Sequence, residues 1–183
     1  MSNKKELIIT SATQMIRDGG YSAFSFREVA DDVGIKSSSV QHYFKRKEDL
    51  AAAVAHEYSN SFFNTLGTVI ETQSPKQQFI HYSDVFIQSF TTSKRACLCG
   101  ILTHESPSLP QPVINEVDTF IDKNIEWLKA AYAAKEDTNA PEDIEELAII
   151  SYTSMEGAMA VATLKDDVSW LTTTQRQLAK RLF

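Results

Sequence analysis

The chain has 183 residues, 43% of them hydrophobic, and a formal net charge of −6, which is the balance of a globular protein with room for one domain or for a small domain beside a larger one. Its two cysteines, Cys97 and Cys99, stand too close in sequence to staple a fold, and no stretch approaches the continuous apolar length that spans a bilayer. The N-terminus MSNKKELIIT lacks a secretory apolar core, so the expectation is a cytoplasmic protein with no membrane partner.

Residues 4–18 read as a helix with Leu7, Ile8, Ala12, Met15 and Ile16 on one apolar face and Gly19-Gly20 as its stop. Ser25 can cap a second, short helix in which Phe26, Val29, Ala30 and Val33 recur at helical spacing. Gly34 then supplies a turn through its freedom to take positive φ, and Ile35 is the apolar plug that lets the next helix pack at a steep angle. In that third helix Val40 and Phe44, four apart, anchor one face. Ser37, Ser38, Ser39, Gln41 and His42 are left outward, with hydroxyls, an amide and an imidazole that can bond base edges in a major groove or phosphate oxygens. Lys36, Lys45, Arg46 and Lys47 bracket this helix with positive charge suited to a phosphate backbone. The charge is unevenly spread: residues 1–50 carry +1 and residues 51–183 carry −7, so a basic surface at one end matters more than the acidic total.

A long helix follows from Lys47 to about Thr72, with Leu50, Val54, Tyr58, Phe62 and Leu66 spaced by four and Glu48 and Asp49 in its first turn, where acids favour the helix dipole. Ser74-Pro75 opens a helix over about 76–92 bearing Phe79, Tyr82, Val85, Phe86 and Phe90. CLCGILTHES is a short apolar helix ending at His104 and Glu105, and the prolines of SPSLPQPV break the chain before a helix from about Val113 to Ala134 that buries Val117, Phe120, Ile121, Trp127 and Leu128. Another helix enters at Ala140-Pro141, with Glu142, Asp143, Glu145 and Glu146 in its first turns and the small residues Ser154, Gly157, Ala158, Ala160 and Ala162 later on. Val168, Leu171, Leu178 and Leu182 give the last helix an apolar seam. The final two helices look like half of a four-helix bundle completed by a second chain. The sum is an all-α protein of nine helices without strands.

The best material for catalysis is Cys97, Cys99, His104 and Glu105. On one helix Cys97 and His104 would stand about 10 Å apart along the axis, too far for a nucleophile and its base. A C-x-C with one histidine does not complete a four-ligand zinc set. No catalytic residue, metal or cofactor is therefore expected. The cysteines read as small packing residues, or one of them lines a pocket and reacts with an oxidant or electrophile.

The run G-Y-x-A-F-S-F-R-E-V-A at Gly20 to Ala30, then V-G-I at 33–35 and V-Q-H-Y-F-K-R-K-E-D-L at 40–50, resembles the N-terminal DNA-binding domain of TetR-family transcriptional repressors, with departures at Ser38, Gln41 and Tyr43. The resemblance implies a helix-turn-helix DNA-binding domain over residues 1–46 and a ligand-binding and dimerisation domain over 47–183. It implies that residues 37–43 enter the major groove, with Arg27 on a guanine and Ser25, Lys36, Tyr43 and Lys47 on phosphates. It further implies a homodimer through the last two helices, a near-palindromic double-stranded operator, and a small apolar, aromatic or electrophilic inducer among the middle helices. Phe86, Phe90, Cys97, Cys99, His104, Trp127, Tyr152 and Met155 are the expected lining. The alternative is a helical protein-interaction module whose helix-turn-helix no longer reads DNA.

Overall fold

The computed structural model describes residues 4–133 and 141–183. Ala134 and Ala140, named above as helix boundaries, lie outside them, as does the Glu142 side chain. Among the described residues the chain is all-helical, with nine α-helices, two 3-10 turns and no strand. The helices are α1 (Lys4–Gly19), α2 (Phe26–Val33), α3 (Ser37–Tyr43), α4 (Lys47–Leu66), α5 (Pro75–Ser93), α6 (Leu98–His104), α7 (Gln111–Ala133), α8 (Pro141–Lys165) and α9 (Ser169–Arg181). The 3-10 turns are Tyr21–Ala23 and Ser106–Ser108.

The residues fall into two compact units. The first comprises Met1–Ser61 and Leu98–Thr119, the second Phe62–Cys97 and Phe120–Phe183. Unit 1 therefore holds α1 to α3, α4 through Ser61, α6, and α7 through Thr119, so it takes in more than the three-helix head. Its core is mainly aliphatic: Ile8, Ala12, Ile16, Val29, Val40, Leu50, Val54, Leu98, Leu102 and Val113 are all closed to solvent, with Phe24 and Phe44 buried among the aromatic residues of the unit. Ser25 caps α2 by accepting the Glu28 N–H at 3.3 Å, and Gly34 ends the helix at φ 72° and ψ 36°, its N–H reaching the Ala30 and Asp31 carbonyls. The Ile35 N–H closes on the Ala30 carbonyl at 2.9 Å, which completes the turn into α3.

Unit 2 is built on rings. Phe62 meets Phe86 and Phe120 edge-to-face at 5.5 and 5.3 Å, and Tyr82 stacks on Trp127 at 5.7 Å. Such pairs add about 0.5–1.5 kcal/mol each beyond the area they bury. Ser74 and Gln77 form a reciprocal capping box at the start of α5, with Pro75 at its first position.

Two expectations need correction. α4 stops at Leu66, well before Thr72, because Gly67 turns left-handed at φ 70° and its N–H bonds the Phe63 carbonyl at 2.8 Å. Side chains from α5 and α7 then take the free carbonyls of that helix end, the His81 ring nitrogen on Leu66 and the Trp127 N–H on Gly67, each at 2.8 Å. The second concerns α8: its 23 residues Asp143–Lys165 are long and apolar enough, by length and composition, to cross a membrane. Apolar residues occupy both of its faces, with Tyr152, Met155 and Met159 buried and Ile149, Ile150 and Leu164 exposed.

Gly34→Ala isolates the cost of the left-handed turn, since a Cβ there would meet no atom within 4 Å. Denaturant unfolding of this variant is expected to show a loss of about 1–2 kcal/mol with the fold retained.

Candidate functional site

α3 is a seven-residue helix held by Val40, which is fully buried, and by Phe44 just beyond its end, 5% exposed. With that face pinned, Ser38, Gln41, His42 and Tyr43 are exposed and Ser37 and Ser39 half-buried. The His42 and Tyr43 rings meet edge-on at 5.5 Å, so they form one aromatic edge at the end of the helix. Lys36 sits at the N-cap position with an extended backbone and its side chain in solvent. Arg27, on the outer side of α2, is 88% exposed and 3.9 Å from Asp31, a contact that solvent screens.

The basic bracket is less uniform than its sequence suggests. Arg46 is neutralised within its own turn, 2.7 Å from Glu48 and 3.0 Å from Asp49, and its backbone N–H donates to Asp49 as well. Lys47 lies over two rings, 4.5 Å from the Tyr21 centroid and 4.7 Å from that of Phe24. Partial burial lowers its pKa below the usual lysine value, while Glu28 and Glu105 pull it back up. Lys36 and Lys45 are exposed cations flanking α3, and Lys45 completes the surface that the K-R-K run foreshadowed.

The expected ligand residues divide between the two units. Phe86, Phe90, Cys97, Tyr152 and Met155 are buried in unit 2, and Trp127 is half-buried there with its N–H engaged. Cys99 is buried and His104 exposed, both in unit 1, where α6 begins at Leu98 and leaves Cys97 outside the helix. Among the described residues no group of three His, Cys, Asp or Glu side chains could hold a metal ion. The fold gives His56 a carboxylate neighbour that sequence spacing hid, Glu116 at 3.1 Å on the surface of unit 1.

Sequence reasoning missed the polar centre of unit 2. The Tyr82 hydroxyl donates to Asn124 Oδ1 and the Asn124 amide donates to the Phe120 carbonyl, each at 2.8 Å. The Tyr132 hydroxyl donates to Ser151 Oγ, also at 2.8 Å. Among them Glu156 is half-buried as a residue, but its Oε1 is sealed from solvent and has no hydrogen-bond partner among the described residues. Burial pushes its carboxyl up to about 7, against which a hydrogen bond from the Cys97 thiol pulls down. Burial, followed by the field of Glu156, also raises the Tyr82 hydroxyl well above its ordinary range. A lone acid inside the small, apolar run SMEGAMA was the signal.

A helix-turn-helix head whose second helix presents hydroxyls, an amide and an imidazole between cations, followed among the described residues by helices alone, defines the class of helix-turn-helix regulators. Residues 8–54 match the profile of the bacterial regulatory proteins of the tetR family. The chain is 32% identical over 90 residues to the HTH-type transcriptional repressor KstR2 of Mycolicibacterium smegmatis, a match covering 49% of this chain and 42% of that relative, less than half of each. Its fold is similar to that of a TetR transcriptional regulator from Legionella pneumophila, with a TM-score of 0.90, 27% identity, and 98% and 97% of the two chains covered. It is similar too to a TetR-family regulator from Agrobacterium tumefaciens, with a TM-score of 0.87, 25% identity, and 97% and 96% covered. The helix-turn-helix segment is thus similar to that of the tetR family, and the whole chain is similar in fold to solved TetR regulators.

Glu156 sets a pH dependence with a defined sign. Its folded carboxyl binds a proton more tightly than the unfolded one, so its contribution favours the fold below pH 4.5 and is lost as pH rises towards about 7. Glu156→Gln is expected to flatten that stretch, leaving the variant more stable than the parent at pH 8 by up to about 3 kcal/mol in urea unfolding.

Proposed function

We propose that this chain is a cytoplasmic, homodimeric, ligand-responsive repressor that binds a near-palindromic operator through α3 and leaves it when a small molecule occupies the interior of unit 2. The observation that carries the reading is the presentation of α3. Val40 and Phe44 face inward, while Ser38, Gln41, His42 and Tyr43 are turned to solvent between Lys36 and Lys45, in a segment that matches the family profile. Two-fold symmetry would set two such helices on two half-sites.

Each group has a role suited to its chemistry. Gln41 and the serines read base edges, and Arg27 offers a bidentate fork to a guanine. Lys36, Lys45, Lys47, Ser25 and Tyr43 take phosphates, which supplies affinity without sequence preference. Dimerisation through α8 and α9 is supported by large apolar side chains in solvent there: Ile149 at 45%, Ile150 at 44%, Trp170 at 46% and Leu164 at 82% exposure. The effector couples to DNA by preferring the form that does not bind it, a linkage of about 1–3 kcal/mol in regulators of this kind.

The test is selection of fragments of the source genome by the purified protein, followed by footprinting at two salt concentrations. A protected near-palindrome whose affinity falls steeply with salt is the expected result. A folded dimer that retains no fragment, before and after unfolding and refolding free of ligand, sinks the proposal in favour of the protein-interaction module.

On the selected operator, Arg27→Ala is expected to cost about 1–3 kcal/mol and to relax base preference, whereas Lys47→Ala weakens cognate and random DNA alike. Arg46→Ala changes either affinity least, because Glu48 and Asp49 already hold that guanidinium. Leu164→Asp is expected to shift the protein from dimer to monomer in sedimentation, since it sets a charge into the proposed interface.

A further inference from the structure

We propose that Glu156 is the polar anchor of the effector site, and that the effector is an organic cation, a protonated amine carried on an apolar or aromatic body. The inference rests on the reading of unit 2 as the effector-binding body.

Three hydrogen bonds tie up polar groups in the interior of unit 2. Tyr82 is bonded to Asn124, Asn124 to the Phe120 carbonyl, and Tyr132 to Ser151. One oxygen of Glu156 is engaged by the Cys97 thiol, and Oε1 is left sealed without a partner. A buried acceptor of this kind is costly, and a ligand that donates a hydrogen bond to it offsets that cost. A carboxylate in a dry setting is best answered by a positive charge, because Coulombic attraction there is poorly screened.

The surroundings suit the same ligand. Tyr82 lies within the field of Glu156, stacks on Trp127 and packs against Phe86 at 5.4 Å. Tyr152 and Met155 are buried beside it in sequence on α8. Aromatic faces attract an ammonium group, and the rings equally accept an apolar body. The titratable groups that share the field around Tyr82 are Glu156, Tyr152, Tyr132 and Cys97, acids all. A cation entering here drives Glu156 to ionise: the ammonium keeps its protons and the carboxyl proton leaves to solvent. A neutral or anionic molecule of the same shape gains nothing from the acid.

The experiment uses the full chain and three probes with one apolar body: 4-phenylbutylamine, 4-phenylbutanol and 4-phenylbutyrate. Binding is read from Trp127 fluorescence in a Trp170→Phe background. The expected result is a preference for the amine of about ten-fold or more over both other probes, reduced to within about two-fold in Glu156→Gln. Equal affinities for the three probes overturn the proposal, as does an amine preference that survives Glu156→Gln, or no binding of any probe up to millimolar concentration. Equal affinities and absent binding are both read without the Glu156 substitution, so a Glu156→Gln protein that fails to fold does not shelter the idea. Binding of ligand-free protein to genomic fragments is measured alongside. Loss of DNA binding with amine preference intact overturns the DNA-reading proposal only, and indifference to the amine in a protein that binds DNA overturns the role of Glu156 only.

Discussion

A helix of seven residues has no stability of its own in water, because nucleating it fixes several dihedrals before the hydrogen bonds offset the cost. α3 exists because Val40 is pressed wholly into unit 1 and Phe44 closes the end behind it. That constraint sets everything the head can offer. With two apolar side chains committed to anchorage, the remaining positions turn outward in a fixed order, and the left-handed Gly34 fixes the approach from α2. Reading a groove depends on this rigidity, since hydroxyls and amides discriminate bases only when their positions are set beforehand.

Electrostatics in the head is a matter of which cations are already engaged. Counting charges makes Lys36, Lys45, Arg46 and Lys47 equivalent, but the fold distributes them differently. Arg46 commits its guanidinium to Glu48 and Asp49, which also organises the first turn of α4. Lys47 rests on Tyr21 and Phe24, so its ammonium is held in place by rings as much as by solvent. An engaged lysine costs less side-chain entropy on meeting a phosphate than a free one, and it reports changes in the turn beneath it.

Unit 2 solves a different problem. Its core is made of large rings that interlock edge-to-face, and its few polar groups are paired in short chains, Tyr82 with Asn124 and Tyr132 with Ser151. Glu156 breaks that rule at Oε1, as Gln73 does at its own Oε1. An acid held near neutrality inside such a core is unfavourable for the fold, and this sets it apart from the structural pairs around it.

Most of the helical plan was legible because it is local. Helical spacing of apolar residues, the Ser25 cap, the Ser74-Pro75 entrance and Gly34 announce their elements through chemistry within a few residues. The same locality exposed the outward face of α3 and the resemblance at residues 20–50. What failed depended on partners far along the chain. α4 ends at Leu66 because Gly67 turns left-handed and His81 and Trp127 supply partners for the carbonyls there, and no window of sequence around Thr72 contains those two side chains. His56 gains Glu116 from 60 residues away. The sequence sets Glu156 in the small, apolar run SMEGAMA, but only folding seals its Oε1. Which segments are helical and which face of α3 is free follow from short-range periodicity, and so can be read along the chain. Which charges are already paired and which acid is stranded depend on the folded arrangement, because pairing and desolvation are properties of neighbours brought together by folding.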